Sequence, residues 1–396
     1  MVKIKEKIEA SIMIASYLET LGFNNGQWEF NYQNSYIKNL DDFIKINSVL
    51  QNHFLVLGGI SHINIKDWNS SDDTIMIIAT AKAVNSDDNY NSNNNYNTDN
   101  NYKKKYLDCY DLLHEEKRVS GINTLNTLKL LKKGYDINTL PSDDTMGGNG
   151  ASMRTGPIGI KYHKNYEKVI EESIKASRLT HNYYLGYLGG MVTSLFTSFA
   201  INDIPIHLWV DKLLELHNQG IIEKYYPKEH KIEDLEDFIN YWRRYKETRI
   251  NKLKYKNTLN TFIYPIERFE YLLGYFPDSR IKRMIAQGES LRNFDFRWDR
   301  IGSTGLDSCI YAYDCLLASI YSKNSKIIDL NNYDFSWECF ATLVAIHPGD
   351  NDTTAAIGGT WYGAIVGFRD IDRERMKELE FYKELEQVSN KLYESF

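Results

Sequence analysis

The 396-residue sequence has only seven prolines and four cysteines, and each shortage excludes a class of protein. Long stretches without proline favour helices over an architecture of strands and turns. The cysteines show no CxxC or finger spacing, so neither a zinc finger nor a disulfide framework is expected. They are Cys109, Cys309, Cys315 and Cys339. The sequence therefore predicts an all-α fold with free thiols.

The sequence also lacks a run of roughly 18 apolar residues, and its first ten residues lack the apolar core of a signal peptide. Its formal net charge is -6, and its lysines and arginines are scattered among acids. No basic face for nucleic acid is evident. These absences predict a soluble, cytoplasmic protein that binds neither membranes nor nucleic acid. A hydrophobic content of 42% is enough for a substantial core.

Apolar residues recur at helical spacing along much of the chain. Residues 4–21 predict a first helix that ends at Gly22, and residues 75–84 predict a second. Further predicted helices span residues 166–178, 186–201, 206–220, 232–254, 306–322, 337–346, 353–368 and 373–394. Because no internal repeat and no clear linker divides the chain, residues 1–396 are expected to form a single large helical domain.

Residues 85–101 differ from the rest because they are mostly asparagine and aspartate with a few tyrosines. A segment of this composition cannot bury enough apolar surface to offset the entropy lost on ordering. We expect a disordered surface insertion here, and no functional residue is assigned to it.

Two acidic clusters, residues 71–74 (SDDT) and 350–353 (DNDT), each precede an apolar helix. Either cluster alone is explained as helix capping, for which Ser, Thr and Asp are preferred. Together they would bury several carboxylates that repel one another unless protons or cations neutralise them. Oxygen ligands without cysteine suit Mg2+, Mn2+ or Ca2+, with Mg2+ the default. The pair of clusters therefore predicts a metal site.

Other residues allow both ordinary and functional interpretations. The glycine-rich run 147–150 is either a simple turn or a cradle for phosphate or ribose. His181 alone is more often a structural histidine than a ligand contact. Trp28 is equally explained as a core residue, and Glu29 as a solvated charge.

The two clusters and four stretches between them resemble the ADP-ribosylglycohydrolase family, in family order across nearly the whole chain. The four stretches are residues 22–30 (GFNNGQWEF), 147–154 (GGNGASMR), 177–181 (SRLTH) and 302–307 (GSTGLD). The NGxWEF motif, the Thr-His pair and the run GYLG at 186–189 resemble the ADP-ribosylarginine hydrolases more than the serine-directed or poly(ADP-ribose)-cleaving branches.

The resemblance implies a large orthogonal helical bundle with a dinuclear metal centre. The implied ligands of two Mg2+ ions, for which Mn2+ could substitute, are Ser71, Asp72, Asp73, Asp350, Asp352 and Thr353. The residues implied to hold ADP-ribose are Gly147, Gly148, Asn149, Gly150, Ser152, Met153, His181, Ser303, Gly305 and Asp307. Glu29 would lie on a flap near the metals and is predicted to be catalytic together with Asp72 and Asp73.

The implied activity is hydrolysis of the bond between the distal ribose of ADP-ribose and an arginine of a modified protein, by a monomer. Three alternatives stay open: an ADP-ribose-binding relative without turnover, a hydrolase of serine-linked ADP-ribose, and a hydrolase of O-acetyl-ADP-ribose. At the end of the first helix the family usually has Gly-Asp-Ala-Leu-Gly, whereas this chain has LETLG at residues 18–22. Leucine and a longer acid, Leu18 and Glu19, thus lie beside the predicted site.

Overall fold

The computed structural model describes residues 2–31, 37–86, 98–252, 265–321, 330 and 333–395. Its α-helices are α1 Ile4–Phe23, α2 Leu40–Val56, α3 Gly59–His62, α4 Asp72–Val84, α5 Thr98–Asp108, α6 Tyr110–Leu113, α7 Ile122–Lys132, α8 Gly156–Lys161, α9 Tyr166–Arg178, α10 Tyr184–Ile201, α11 Trp209–Asn218, α12 Ile221–Tyr225, α13 Ile232–Thr248, α14 Pro265–Leu273, α15 Ser279–Ala286, α16 Gly305–Ala318, α17 Trp337–Ala345, α18 Asn351–Val366, α19 Arg373–Met376 and α20 Tyr382–Glu394.

Short 3-10 helices and one strand pair complete the described secondary structure. The 3-10 helices are Asn24–Gly26, Glu29–Asn31, Glu116–Arg118, Ile137–Thr139, Asp144–Met146, Ile206–Leu208, Ile250–Lys252 and Trp298–Arg300. Strands β1 (Ile320–Tyr321) and β2 (Asp334–Phe335) pair antiparallel. Because helices dominate the described residues, the predicted all-α fold is confirmed.

Helix α10 lies at the centre of the protein and packs against α8, α9, α16 and α18. It is long and apolar enough to cross a membrane, so the prediction that the sequence lacks a run of this length was wrong. All of its residues are buried inside the protein, as in a core helix. Buried apolar side chains from Ile8 to Leu392 form one contiguous cluster around it.

Helices α1 and α18 pack antiparallel at very short distance because glycines face α1. A Cβ atom at Gly359 would lie 2.8 Å from Ala15 Cα, and one at Gly363 would lie 2.4 Å from the Ala10 carbonyl carbon. No side chain fits at either position. The carboxyl end of α1 is therefore held against the amino end of α18, where a Cβ at Gly22 would lie 3.0 Å from the Asn351 carbonyl oxygen.

Several predicted helix boundaries were wrong. Helix α1 continues past Gly22 to Phe23, and Asn24 then adopts a left-handed conformation with φ 41°. The helix predicted to reach residue 254 ends at Thr248, and the one predicted to reach residue 322 ends at Ala318. In each case a 3-10 turn or a short strand follows within the predicted range.

The helix predicted over residues 373–394 is two helices, α19 and α20. In the interruption between them, the Glu380 carboxylate accepts hydrogen bonds from Arg118 at 2.6 and 2.8 Å and from the Ser70 backbone N–H at 3.1 Å. A continuous helix would not place Glu380 in contact with both groups, so this tertiary contact accompanies the break.

The asparagine-rich segment falls largely outside the described residues, which omit residues 87–97. The described chain resumes with α5 at Thr98, inside the range 85–101 that was predicted to be disordered.

Candidate metal centre and substrate cavity

The first acidic cluster forms the amino end of α4. The Ser71 hydroxyl caps this helix by accepting a hydrogen bond from the Asp73 backbone N–H at 3.2 Å. The Ser71 backbone N–H in turn donates to Glu19 Oε2, on α1, at 3.3 Å. Asp72 Oδ2 accepts from the Gly121 backbone N–H at 3.3 Å. Capping is therefore real, but it uses only one lone pair of the Ser71 hydroxyl oxygen and leaves the two aspartates for other partners.

The second acidic cluster lies at the amino end of α18. Asp350 Oδ2 accepts a hydrogen bond from Asn149 Nδ2 at 2.9 Å, and Asp352 Oδ1 accepts from the Thr353 backbone N–H at 2.8 Å. Behind the cluster, His347 Nδ1 accepts from the Gly349 backbone N–H at 3.1 Å, and its Nε2 lies 2.9 Å from Thr354 Oγ1. The loop that presents Asp350 is thereby fixed on both sides.

The two clusters line the same cavity, and Glu29 lies beside the second of them. Carboxylate oxygens of Glu29, Asp350 and Asp352 lie within 4.8 Å of one another. Of the buried carboxylate oxygens around these clusters, four have no hydrogen-bond partner among the described residues. These oxygens are Glu19 Oε1, Glu29 Oε2, Asp73 Oδ2 and Asp350 Oδ1. Unpartnered buried acceptors of this kind require an explanation, and a bound cation supplies one.

Burial and mutual repulsion raise the pKa of the carboxyl groups at this point. Burial, and next the charge of Asp352, raise the pKa of Asp72 to about 7. Burial raises the pKa of Glu19 to about 8. The pKa values of Glu29 and Asp73 lie well above the ordinary range for the same two reasons. These carboxylates thus have too little positive charge around them, so an all-oxygen site for a hard divalent cation fits the residues present.

All six predicted metal ligands are buried at these two helix ends. Five of them line a cavity of about 710 Å³, and Ser71 lies behind its wall. The five are Asp72, Asp73, Asp350, Asp352 and Thr353. Glu19 was not among the predicted site residues, yet it is fully buried and hydrogen-bonded to the Ser71 backbone.

The flap residue Glu29 lines the same cavity. The neighbouring Phe30 backbone N–H donates to the Gly349 carbonyl oxygen at 3.0 Å, which ties this segment to the second cluster. On the other side, Trp28 is buried, and its Nε1 donates to His53 Nδ1 at 3.2 Å. Trp28 is therefore a core residue that anchors the segment, and Glu29 is a site residue.

The glycine loop and the 302–305 turn pair to form one wall of the cavity. Gly148 and Thr304 form an antiparallel bridge. The Asn149 backbone N–H donates to the Ser303 carbonyl oxygen at 3.2 Å, and the Gly305 backbone N–H donates to the Gly147 carbonyl oxygen at 3.1 Å. Asn149 also donates to Asp350, so this wall is joined directly to the metal centre.

Seven of the ten predicted ADP-ribose contacts line the cavity. They are Gly147, Gly148, Asn149, Gly150, Met153, His181 and Ser303. The other three, Ser152, Gly305 and Asp307, lie behind the wall. Both carboxylate oxygens of Asp307 accept hydrogen bonds from the backbone of the turn, from the Gly302 and Thr304 N–H groups at 2.6 and 2.8 Å.

Ser152 and Gly305 are placed behind the wall by close helix packing. A Cβ atom at Gly189, on α10, would lie 2.3 Å from the Gly305 carbonyl oxygen and 2.4 Å from Ser152 Oγ. These positions are therefore filled by contacts within the protein, and they shape the wall without facing the cavity.

His181 faces the glycine loop as an uncharged ring. Its Nδ1 lies 2.9 Å from Thr180 Oγ1, and a Cβ atom at Gly150 would lie 2.6 Å from its Cε1. Burial, and secondly the charge of Arg154, lower the pKa of His181 to about 3. The histidine is thus neutral near pH 7. It can form hydrogen bonds there, but it does not act as a cation.

Several cavity residues were missed by the sequence-based prediction. They include Asp144, Tyr183, Tyr184, Phe276 and Arg300. Most of them belong to segments that connect helices, and none stands in a motif that indicates a site. Only the tertiary fold brings them together.

Known proteins resemble this chain over nearly its whole length. The model of the ADP-ribosylglycohydrolase family matches residues 26–396. The chain is 31% identical to ADP-ribosylhydrolase ARH1 of Dictyostelium discoideum, over 98% of this chain and 94% of that protein. It is 30% identical to putative ADP-ribosyl glycohydrolase L444 of Acanthamoeba polyphaga mimivirus, over 93% of this chain and 66% of that protein.

A solved structure of an ADP-ribosylglycohydrolase-related protein complex has the same fold. It aligns with a TM-score of 0.52 at 14% identity and covers 98% of this chain and 99% of that chain. The family model and the two relatives span the glycine loop and both acidic clusters. The chain therefore belongs to the ADP-ribosylglycohydrolase family.

Proposed function

We propose that this family member is a magnesium-dependent hydrolase that releases ADP-ribose from ADP-ribosylated arginine on proteins. The observation that carries the proposal is the convergence of Glu29, Asp350 and Asp352 within 4.8 Å at one end of a cavity of about 710 Å³. Buried carboxylates that lack enough positive charge fit a pair of hard cations, and the adjoining cavity provides space for a substrate.

The residues that would hold two Mg2+ ions are the six predicted ligands at the ends of α4 and α18. When bound, such ions would hold the ribose hydroxyls and acidify a water molecule. The protein itself fixes the loops that present these ligands, through the bonds from Asn149 to Asp350 and from Gly121 to Asp72. A site held from several sides in this way keeps its shape when charge is neutralised within it.

In the proposed reaction, Asp72 or Asp73 accepts a proton from the attacking water as a general base. The water oxygen forms a bond to the anomeric carbon of the distal ribose, while the bond from that carbon to the guanidinium nitrogen breaks. The proton held by the carboxylate then passes to the departing nitrogen, so that free ADP-ribose and arginine result. Both carboxylates line the cavity, and Asp73 Oδ2 has no partner among the described residues.

Arginine as the acceptor is supported by two observations. The sequence motifs around Trp28 and His181 resemble those of ADP-ribosylarginine hydrolases. The cavity wall around the two acidic clusters also carries Glu29, Asp72 and Asp73, and an acidic wall attracts the cationic guanidinium of a modified arginine. The name of the Dictyostelium relative, an ADP-ribosylhydrolase, supports hydrolysis that releases an ADP-ribosyl group.

The test compares release of ADP-ribose from arginine-linked and serine-linked ADP-ribosylated proteins, in Mg2+ and in EDTA. We expect release from the arginine-linked substrate in Mg2+ alone. The double variant D72N/D73N should lose at least about 100-fold in rate, because the general base is removed. Circular dichroism should show that the variant stays helical.

A matched control is available at the start of α2, where Asp41 and Asp42 occupy the first turn as Asp72 and Asp73 do in α4. The variant D41N/D42N removes the same charge from a helix end outside the cavity and should keep its activity. Release from the serine-linked substrate alone would overturn the arginine assignment. Binding of ADP-ribose without release from any conjugate would overturn the hydrolase.

A further inference from the structure

The wall of the cavity is strongly asymmetric in charge. Six acidic side chains line it: Glu29, Asp72, Asp73, Asp144, Asp350 and Asp352. Among the lining residues in the described part of the chain, Arg300 is the single lysine or arginine. A ligand with negative charge therefore meets one fixed cation in this cavity, apart from any bound metal.

Arg300 lies beside the wall formed by the glycine loop. It ends the 3-10 helix Trp298–Arg300, and its carbonyl oxygen accepts a hydrogen bond from the Ser303 backbone N–H at 3.1 Å. The Ser303 carbonyl oxygen then accepts from the Asn149 backbone N–H. The buried Trp298 anchors the short helix, and its Nε1 donates to the Phe294 carbonyl oxygen at 3.3 Å. Arg300 is thus carried by a fixed backbone while its side chain is exposed.

The guanidinium of Arg300 differs from its neighbours because no residue in the described part of the chain engages it. Arg297, three residues earlier, pairs with Asp299. Arg154, buried beneath the glycine loop, donates to Ala176 O at 3.1 Å and Thr180 Oγ1 at 2.7 Å. No hydrogen bond or ion pair joins the Arg300 side chain to any residue that the structure describes. Its charge is therefore available to a ligand.

We propose that Arg300 binds the diphosphate of ADP-ribose beside the glycine loop, an inference that rests on the proposed function. The diphosphate carries two negative charges, and six carboxylates on the wall oppose its entry. The backbone N–H groups of the glycine loop are neutral donors, so they supply direction but no net charge. A guanidinium supplies the missing charge, and its planar set of donors matches two phosphate oxygens at once.

This assignment gives two neighbouring parts of the cavity wall different tasks. The carboxylates hold cations and the reacting ribose, while the glycine loop and Arg300 hold the diphosphate. Arg300 therefore acts as a positioning residue that contributes to substrate affinity, and its removal leaves the metal centre intact.

The experiment measures binding of ADP-ribose by calorimetry in saturating Mg2+, for the wild-type protein and the variants R300A, R300K and R297A. We expect R300A to bind about tenfold more weakly, the loss that accompanies removal of one charged hydrogen-bonding partner. R300K should keep part of the affinity because it keeps the charge. R297A is the matched control, since it removes a nearby exposed arginine that does not line the cavity, and it should bind as the wild type does.

Two further measurements separate the possible outcomes. Affinity should fall more steeply with added NaCl in the wild type than in R300A, because one ionic contact is lost. The concentration of Mg2+ at half-maximal activity should be the same in both. Equal ADP-ribose affinity in the wild type and R300A, or an equal loss in R297A, would overturn the role of Arg300 alone. A wild-type protein that binds no ADP-ribose would overturn the proposed function as well.

Discussion

Two clusters of charged side chains are buried in this protein, and the pKa values of their carboxyl groups move in opposite directions. In the helical core, Asp314 receives hydrogen bonds from Arg249 Nε at 2.7 Å, Arg268 Nε at 3.0 Å and Tyr245 Oη at 2.7 Å. Burial raises the pKa of Asp314, but the two guanidinium groups outweigh it and hold that pKa below its ordinary value. At the candidate metal centre the pKa values of Asp72 and Glu19 rise instead.

The opposite pKa shifts indicate that the two clusters have different roles. The protein supplies cations to Asp314 from its own side chains, so this carboxylate needs no external cation and serves stability. No lysine or arginine in the described part of the chain pairs with the carboxylates around Asp352, although these carboxylates are equally buried. Repulsion that the fold leaves uncompensated is typical of a site that an external ligand completes.

Replacing one acid in each cluster should have the largest effect, because the free energy of unfolding should change differently in the two variants. We expect D314N to lower the free energy of unfolding by roughly 3–5 kcal/mol, because two buried arginines lose their counter-charge. D352N should leave the metal-free protein as stable as the wild type or more so, because it relieves repulsion. Urea denaturation with and without Mg2+ measures both effects.

Added Mg2+ should stabilise the wild type and D314N but not D352N, since a ligand that binds only the folded state stabilises it. If D352N destabilised the metal-free protein as strongly as D314N does, the two clusters would be structural in the same way and the contrast would fail.

A smaller effect is expected in the pH dependence of stability, which reports the raised pKa values of the acidic clusters. The pKa values of Asp72 and Glu19 in the folded protein, about 7 and about 8, exceed their ordinary values of 3.8 and 4.5. The folded state therefore holds protons that the unfolded state releases. Their contribution to stability is full below about pH 4 and is lost as the pH rises through about 8, with a slope on the order of 1 kcal/mol per pH unit for each group.

Chemical denaturation of the metal-free protein between about pH 5 and pH 8 tests this sign. The free energy of unfolding should fall with rising pH in the absence of Mg2+, and saturating Mg2+ should flatten the decline. E19Q, which keeps an acceptor for the Ser71 N–H but carries no charge, should show a shallower slope. The raised pKa values would be contradicted if the free energy of unfolding without Mg2+ rose with pH across this range, compared with the free energy of unfolding in Mg2+.

The smallest expected effect concerns a contact one layer behind the metal centre. Glu380 accepts a hydrogen bond from the Ser70 backbone N–H, and its partner Arg118 donates to the Ser70 carbonyl oxygen at 2.8 Å. This ion pair holds the segment that enters the first acidic cluster. E380Q should raise the half-saturating Mg2+ concentration for activity. The increase should be less than the ~10-fold typical of groups that contact a metal ligand directly.

A titration of activity against Mg2+ measures this change, with E229Q as the control. That substitution removes the ion pair between Glu229 and Arg178, which lies away from the metal ligands. An unchanged half-saturating concentration in E380Q would show that Ser70 is held well enough by its neighbours, such as Thr20, whose hydroxyl lies 3.1 Å from Ser70 Oγ.

The sequence was sufficient to predict those parts of the fold and site that depend on neighbouring residues. Each acidic cluster is contained in four consecutive residues, and the long helices follow from their apolar spacing. Helix α2 was missed although its signals are present. Asn39 caps it by accepting from the Asp42 N–H at 2.9 Å, and Leu40, Phe43, Leu50 and Phe54 form its buried face.

Other features depend on contacts between distant segments and could not be read from local patterns. Glu19 lies beside the first acidic cluster because Gly359 and Gly363 allow α18 to approach α1 closely. The break between α19 and α20 accompanies a contact with Arg118. Arg300 reaches the cavity because the 302–305 turn pairs with the glycine loop, a pairing that no spacing in the sequence predicts.

The close packing of α1 and α18 also has a consequence for biosynthesis. The hydrogen bond from Asn351 Nδ2 to the Gly22 carbonyl oxygen joins residues 329 positions apart. At ribosomal rates of about 5–20 residues per second, α1 is made roughly 15–65 seconds before its partner emerges. During that interval its apolar stripe has no native cover, and the cation site does not yet exist. Nascent chains of this protein should therefore engage chaperones on the ribosome and gain Mg2+ affinity only when translation is nearly complete.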